Sequence, residues 1–393
     1  MIPRFNYSYS VGDFWNALQS LIDKQPTNYE TISALFPQAT LHFVSQARVG
    51  IFLALKAFDL VPGARVGVQP YTCSSVLSAI VAAGYKPLFI DIDEQLTIDT
   101  NDLQCKQVEL DALIVTHTFG KPANIHQIRQ IVGNLPVIED CAHAFLSYYD
   151  GTPVGNFFDC AVFSFGDGKF PSFGSGALLV VNNPVYGRRI AEMVSELAEP
   201  GLLSELALIG KRILKAAVHS RMGGILQKWL VSETIVSKRN SAVSAFPDRF
   251  KKAHRSVASG LPTYISRIVE RAATQRENAR LLIDHNRSSF TVLNKSAQEN
   301  AYVVVLLFKN RNDLYNYLRE KGIGGAKHFQ HAKIWTREFG YQSGQCPQFE
   351  QLVDNLLTIP CHYGLTQRDL EIINQSLHHF TRHPLPTHEE SFS

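Results

Sequence analysis

Between about residues 40 and 190, short apolar runs alternate with segments of helical period, and this alternation leaves few architectures open. RVGVQ (65–69), PLFIDID (87–93), ALIVTHTF (112–119), PVIED (136–140) and CAVFSF (160–165) read as strands. SSVLSAIVAAG (74–84) and NIHQIRQIVG (124–133) read as helices between them. Strands joined through helices run parallel, and a parallel sheet needs helices on both faces. The expected fold is therefore α/β. From about residue 300 the pattern changes: AYVVVLLF is a strand, RNDLYNYLREKG a helix ended by Gly322, NLLTIP a strand and QRDLEIINQSLHHF a helix. This predicts a large domain over 1–245 and a small C-terminal α+β domain over 246–380. The tail 381–393 has no periodicity and is expected to be disordered.

Composition excludes several function classes. At 393 residues the chain can hold more than one domain, and 45% hydrophobic against 19% charged residues describes a globular protein. A formal charge of +3 is too small to argue for nucleic acid. The six cysteines (73, 105, 141, 160, 346, 361) show no metal-ligand spacing, which favours reduced thiols and a cytoplasmic protein. MIPRFNYSYS has no apolar signal region, and no run of eighteen apolar residues occurs. The basic, apolar stretch around 200–230 reads as helices against the core or a partner subunit in preference to a membrane-surface segment.

Two segments carry chemistry. PVIED delivers Asp140 to the carboxyl end of a strand, where ligands bind in open α/β sheets. CAVFSF is followed by Gly166, Asp167 and Gly168, a loop that presents Lys169. Desolvation there lowers a lysine pKa and frees its amine for Schiff-base chemistry. An amine to hold an aldehyde and an acid to hold a ring nitrogen are what pyridoxal phosphate (PLP) requires. His143, three residues past Asp140, can reach the same ligand, and Ser164 offers a hydroxyl for a phosphate. Upstream, a helix from Ala47 to Phe58 opens with free N–H groups suited to phosphate. Arg48 in its first turn is unfavourable to the helix dipole unless an anion sits beside it. Each residue has a plainer reading: Asp140 as a helix cap, Lys169 in a surface glycine turn, Arg48 in solvent. A nucleotide P-loop fails, because Phe163 stands at the first glycine position and Phe170 at the Ser/Thr position.

Taken in order, GARVGVQPYTCSSVLSAIVAAGYKPLFIDID, THTFGKPANIHQI, VIEDCAHA, FSFGDGK, RNDLYNYLREKGIG and LLTIPCHYGLT resemble the DegT–DnrJ–StrS sugar aminotransferases, PLP enzymes of fold type I. The resemblance runs from Ile2 to about Phe380. It implies a mostly parallel sheet of about seven strands with helices on both faces. It makes Lys169 the Schiff-base lysine, Asp140 the pyridine partner, His143 a contact to the ring hydroxyl and Ser164 a phosphate ligand. It also implies a homodimer that moves an amino group from an amino acid, glutamate by analogy, to a keto group of a nucleotide-linked sugar.

The chain departs from the family at three places. Ala47-Arg48 stands where the family has Gly-Thr, so Arg48 and backbone N–H groups would hold the phosphate. Cys73 follows Thr72 where the family has the aromatic residue that stacks on the ring, leaving Tyr71 as a candidate for stacking. Gly174-Ser175-Gly176-Ala177 replaces Gly-Glu-Gly-Gly after the lysine, with the loss of an acid. Lys251, Lys252 or His254 stands in for the asparagine that a neighbouring subunit lends to the phosphate. The implied alternatives are a PLP-dependent sugar dehydratase, opposed by Lys169, and a non-catalytic regulatory relative.

Overall fold

The computed structural model describes residues 1–6, 9, 11–22, 29–218, 250–294 and 298–382. The tail beyond residue 382 and the basic stretch beyond residue 218 lie outside them. Seven strands form the central sheet: β1 (Thr40–Val44), β2 (Arg65–Val68), β3 (Lys86–Phe89), β4 (Ala112–Thr116), β5 (Val137–Asp140), β8 (Cys160–Ser164) and β9 (Ala177–Val181). β6 (Tyr148–Tyr149) and β7 (Thr152–Pro153) make a separate two-stranded hairpin. The spatial order is β1-β9-β8-β5-β4-β2-β3. β3, β2, β4, β5 and β8 run parallel, while β9 is antiparallel to both β8 and β1.

Burial follows from this layering. Every residue of β4, β5 and β9 is buried, as expected for strands covered on both faces. The helix Ala47–Ala57 lies over β8 and β9. It approaches closely because Gly50 has no side chain; a Cβ there would meet both methyl groups of Val162 at 3.2 Å. ALIVTHTF stops being a strand at Thr116, earlier than its apolar run predicts. Nδ1 of His117 turns back to accept the Ala123 N–H at 3.1 Å, and Phe119 takes a positive φ of 57°. Side-chain hydrogen bonding by a polar residue has overridden the hydrophobic pattern.

A second sheet is built from β10 (Thr291–Val292), β11 (Val304–Leu307) and β12 (Leu356–Ile359). The helices Arg311–Glu320 and Gln367–Arg382 pack against the same small core. The large and small cores meet along the helix Ile265–Asn286. Its Ile268 and Ala272 join the large core, whereas Ala279 and Leu282 join the small one. The helix thus contributes to both cores, and we keep 246–380 as the proposed small domain. The N-terminus crosses over: Ile2 bridges to Ile323 and packs in the small core. Among the described residues no helix is long and apolar enough to cross a membrane.

Candidate active site at the carboxyl end of the sheet

Asp140 ends β5, Ser164 ends β8, and Lys169 follows in the turn after β8. The turn is closed by Lys169 N–H donating to Gly166 O at 3.1 Å. Gly168 adopts φ +74°, a conformation that favours glycine, and packs on the Phe5 ring. Tyr302, from the small domain, donates its hydroxyl to Gly168 O at 2.5 Å and pins the loop from the other side.

Burial dominates the electrostatics. Lys169 is half-buried, and loss of water around its amine holds its pKa below the ordinary lysine value; the nearby Cys73 and Asp140 oppose that shift. The Asp140 carboxyl is pushed up by burial, partly offset by the Ala142 N–H that donates to Oδ1 at 3.1 Å and by Lys169. Neither group lies in an ion pair with the other. The two charges are felt across the site but are not joined in a salt bridge.

His143 lies in the turn that follows β5, and Ala144 N–H to Cys141 O at 2.9 Å forms that turn. Asn300 holds it in place by donating to the carbonyls of His143 and Phe145, each at 2.9 Å. The imidazole stacks on Phe119 (5.6 Å, 7°) and on Tyr302 (4.7 Å, 12°). Burial, with Lys169 and Arg4 nearby, keeps its pKa well below the usual histidine value, so it is neutral. Its Nδ1 accepts the Phe119 N–H at 3.3 Å, while Nε2 is buried without a partner.

The phosphate side is assembled by backbone. Ser45 O accepts the Gly176 N–H at 2.9 Å, and Gly176 O accepts the Phe165 N–H at 2.9 Å. These bonds tie the start of the Ala47–Ala57 helix to the end of β8. Gln46, at the N-cap, makes no side-chain capping bond. Ala47 and Arg48 open the helix, both half-buried. An uncapped helix N-terminus, a serine hydroxyl and an arginine form a donor set that fits a phosphate. The buried Nε2 of His143 fits a ring oxygen, and the Asp140 carboxyl fits a ring nitrogen. The residues present therefore suit PLP.

Two expected residues are placed differently from each other. Tyr71 is fully buried in the seam between domains; its hydroxyl donates to His328 O at 3.0 Å. Phe329 (5.3 Å, 77°) and Phe119 (6.0 Å, 72°) meet its ring edge-on, so its apolar packing is already spent. Cys73 is exposed at the start of the helix Ser74–Ala82, within electrostatic range of Lys169. Arg4, His328 and Tyr302 join the site without any local sequence signal. Arg4 bonds to Nδ1 of His328, and both surround His143.

The DegT/DnrJ/EryC1/StrS aminotransferase family matches residues 38–214 and 261–378, most of the chain. The chain belongs to this family. It is 36% identical to GDP-perosamine synthase of Escherichia coli O157:H7 over 144 residues, which are 36% of this chain and 40% of that protein. It is 25% identical to the pleiotropic regulatory protein of Geobacillus stearothermophilus over 345 residues, covering 85% of this chain and 82% of the relative. Spr1654 from Streptococcus pneumoniae, solved in its PMP form, superposes with a TM-score of 0.78 at 16% identity, covering 97% of this chain and 99% of the other. The fold is thus that of the PLP sugar aminotransferases, as the sequence implied, and PLP is the family's cofactor.

Proposed function

We propose that the protein is a PLP-dependent aminotransferase that carries an amino group from an amino acid, glutamate in our reading, to a keto group of a nucleotide-linked sugar. The observation that carries the reading is the Lys169 amine, withdrawn from water and within electrostatic range of Asp140 and of His143, whose Nε2 is orphaned. Membership of an aminotransferase family and the resemblance to GDP-perosamine synthase support the substrate class.

When bound, PLP supplies an aldehyde carbon for the amine and a ring that withdraws electrons from it. Lys169, with its pKa lowered by burial, presents a larger neutral fraction than an exposed lysine and so acts as nucleophile. With PLP bound, Lys169 would hold its aldehyde carbon, and the neutral Nζ would serve as the base and acid that moves a proton at the donor's α-carbon. Asp140 would face the ring nitrogen. His143 would offer Nε2–H to the ring hydroxyl, and Ser164, Arg48 and the helix N-terminus at Ala47 would hold the phosphate. Cys73 lies within electrostatic range of the lysine at the position of the family's stacking residue, so a smaller group would face the cofactor ring there. We place the protein in the cytoplasm as a homodimer whose partner lends Lys251, Lys252 or His254; all six cysteines are unpaired thiols.

A second reading has one observation behind it, the long match to a pleiotropic regulatory protein. Both readings are tested together. Borohydride reduction of the PLP-loaded protein, then peptide mapping, is expected to place the label on Lys169; a label elsewhere overturns the assignment. Bleaching of the visible band by glutamate distinguishes the enzyme from a regulatory relative. Light scattering is expected to give a dimer, and a fully active monomer would contradict the shared site.

A further inference from the structure

Among the described residues Arg212 is the largest fully buried side chain, only 2% exposed, on the helix Leu202–Val218. Its guanidinium lies over the rings of Tyr9 (4.7 Å) and Phe173 (5.6 Å). Stacking of this kind engages the faces of the guanidinium and leaves its edge to hydrogen bonding. Yet Nε and Nη1 are buried with no hydrogen-bond partner, and among the described residues no carboxylate pairs with it.

The nearby acids are already committed. Asp167 is held by Lys211 at 3.0 Å and by Lys215, and Asp13 is held by Arg267 at 2.5 Å. A buried cation without a counter-charge is costly, and such groups are retained where something pairs with them. Arg212 lines a cavity that also contains Lys169 and Arg271. Arg271 comes from the helix Ile265–Asn286 and packs on the Tyr363 ring at 4.8 Å. Including Arg267, the described lining carries four cationic side chains against the single carboxylate of Asp13.

We infer that Arg212 and Arg271 form an anion subsite beside Lys169 that takes an anionic group of a substrate, a phosphate or a carboxylate. Arg212 supplies its edge donors from a desolvated, ring-clamped position, and Arg271, on a different helix, supplies a second charge to the same cavity. A guanidinium fixed by stacking loses little freedom on binding such a group, which favours Arg over Lys here. The inference rests on the reading of Lys169 as the reacting amine only in calling the anion part of a substrate. Its charge balance is independent of that reading.

The experiment is calorimetric titration of two probes, inorganic pyrophosphate and glutarate, into the PLP-saturated protein and into its Arg212→Gln and Arg271→Gln variants. Saturation with PLP keeps the probes out of the cofactor's own phosphate site. At least one probe is expected to bind the wild type and to weaken about ten- to a hundredfold in each variant, as loss of a charge-assisted bond requires. Weakening of pyrophosphate assigns the subsite to the diphosphate arm of a nucleotide-linked acceptor, and weakening of glutarate assigns it to a dicarboxylate donor. Should Arg212→Gln fail to fold, Arg271→Gln decides alone. Unchanged affinities in the folded variants, or no binding of either probe to the wild type, would overturn the subsite. That failure is separable from failure of the lysine assignment, which the borohydride label reads on the same protein.

Discussion

The backbone N–H of Phe119 donates to Nδ1 of His143 at 3.3 Å, and this bond decides which imidazole nitrogen carries the proton. A neutral imidazole has one donor and one acceptor nitrogen. With Nδ1 accepting, Nε2 is the N–H, and it is the atom left buried without a partner. An orphaned donor in a dry site is costly until a ligand accepts from it.

From this we expect His143→Phe, which keeps a flat ring between Phe119 and Tyr302, to weaken PLP binding about tenfold or more, as loss of a hydrogen bond to an anionic oxygen requires. Spectroscopic titration of PLP into the apo proteins measures it. Equal dissociation constants would detach His143 from the cofactor.

Much of this arrangement was legible in the sequence because it is local. Asp140 ends one strong apolar run and Lys169 follows another through a short glycine loop, and a strand end in an α/β sheet is where ligands gather. The helix opening at Ala47 was visible for the same reason. What escaped notice is long-range. Arg4 reaches His328 across most of the chain, and nothing within MIPRFNYSYS marks it as part of a site. Tyr302 reads as the start of a strand, yet the strand begins at Val304 and the ring is spent on His143. Tyr71, the candidate for stacking, also shows what sequence leaves out: its ring meets Phe119 and Phe329 edge-on, contacts made across the fold. Arg212 lay unmarked among other basic residues, since the buried face cannot be read from a helix that also exposes Leu203, Leu206, Ile213 and Leu214.

Buried neutral histidines make stability depend on acid. Burial lowers the pKa of both His143 and His328 well below the ordinary value, so the folded state binds fewer protons there than the unfolded chain does. Stability conferred by that difference is complete above about pH 6.5 and is lost as pH falls from there toward the folded values, by up to about 1.4 kcal/mol per pH unit for each histidine. Urea unfolding of the apo protein between pH 7.5 and 5 is expected to show this slope, with His328→Phe flattening it by one proton's worth. His42 and His362 shift in the same direction, so the difference between variant and wild type is the measurement. An unchanged slope would mean that His328 is solvated or already charged.

Removing the Lys169 charge acts on the same linkage with a different window. Because burial lowers the Lys169 pKa, the folded state binds fewer protons than the unfolded one between its folded pKa and about pH 10.4, and stability from this residue rises with pH across that range. Lys169→Met retains the aliphatic stem without the ammonium and is expected to raise the apo protein's melting temperature at pH 7. A lower melting temperature would mean that the amine is satisfied where it lies.

His117, Glu139 and Cys141 cluster closely enough to suggest a metal, but their hydrogen bonds argue for architecture. Glu139 accepts N–H groups from Gly155 (2.7 Å), Phe157 (2.8 Å) and Phe158 (3.1 Å), and His117 Nε2 lies 3.0 Å from it. Since His117 Nδ1 accepts from Ala123, Nε2 bears the proton and has no lone pair for an ion. We expect Glu139→Leu to cost at least about 3 kcal/mol by stranding those donors. Chelators and added zinc should leave the melting temperature where it was. Zinc-dependent stabilisation would reverse the conclusion.

Arg48 is the departure from the family whose consequence is most directly measurable. It is half-buried in the first turn of a helix that has no side-chain cap, where a cation opposes the helix dipole. A phosphate beside it would reverse that sign, since arginine and the free N–H groups would then act on the same anion. A charge-assisted bond of this kind contributes about 1.5–3 kcal/mol. Arg48→Ala should therefore weaken PLP about ten- to a hundredfold without abolishing binding, because Ser164 and the helix N-terminus remain. Titration of PLP into both apo proteins separates the two roles: equal dissociation constants would return Arg48 to a structural or solvated residue and leave the phosphate to the backbone.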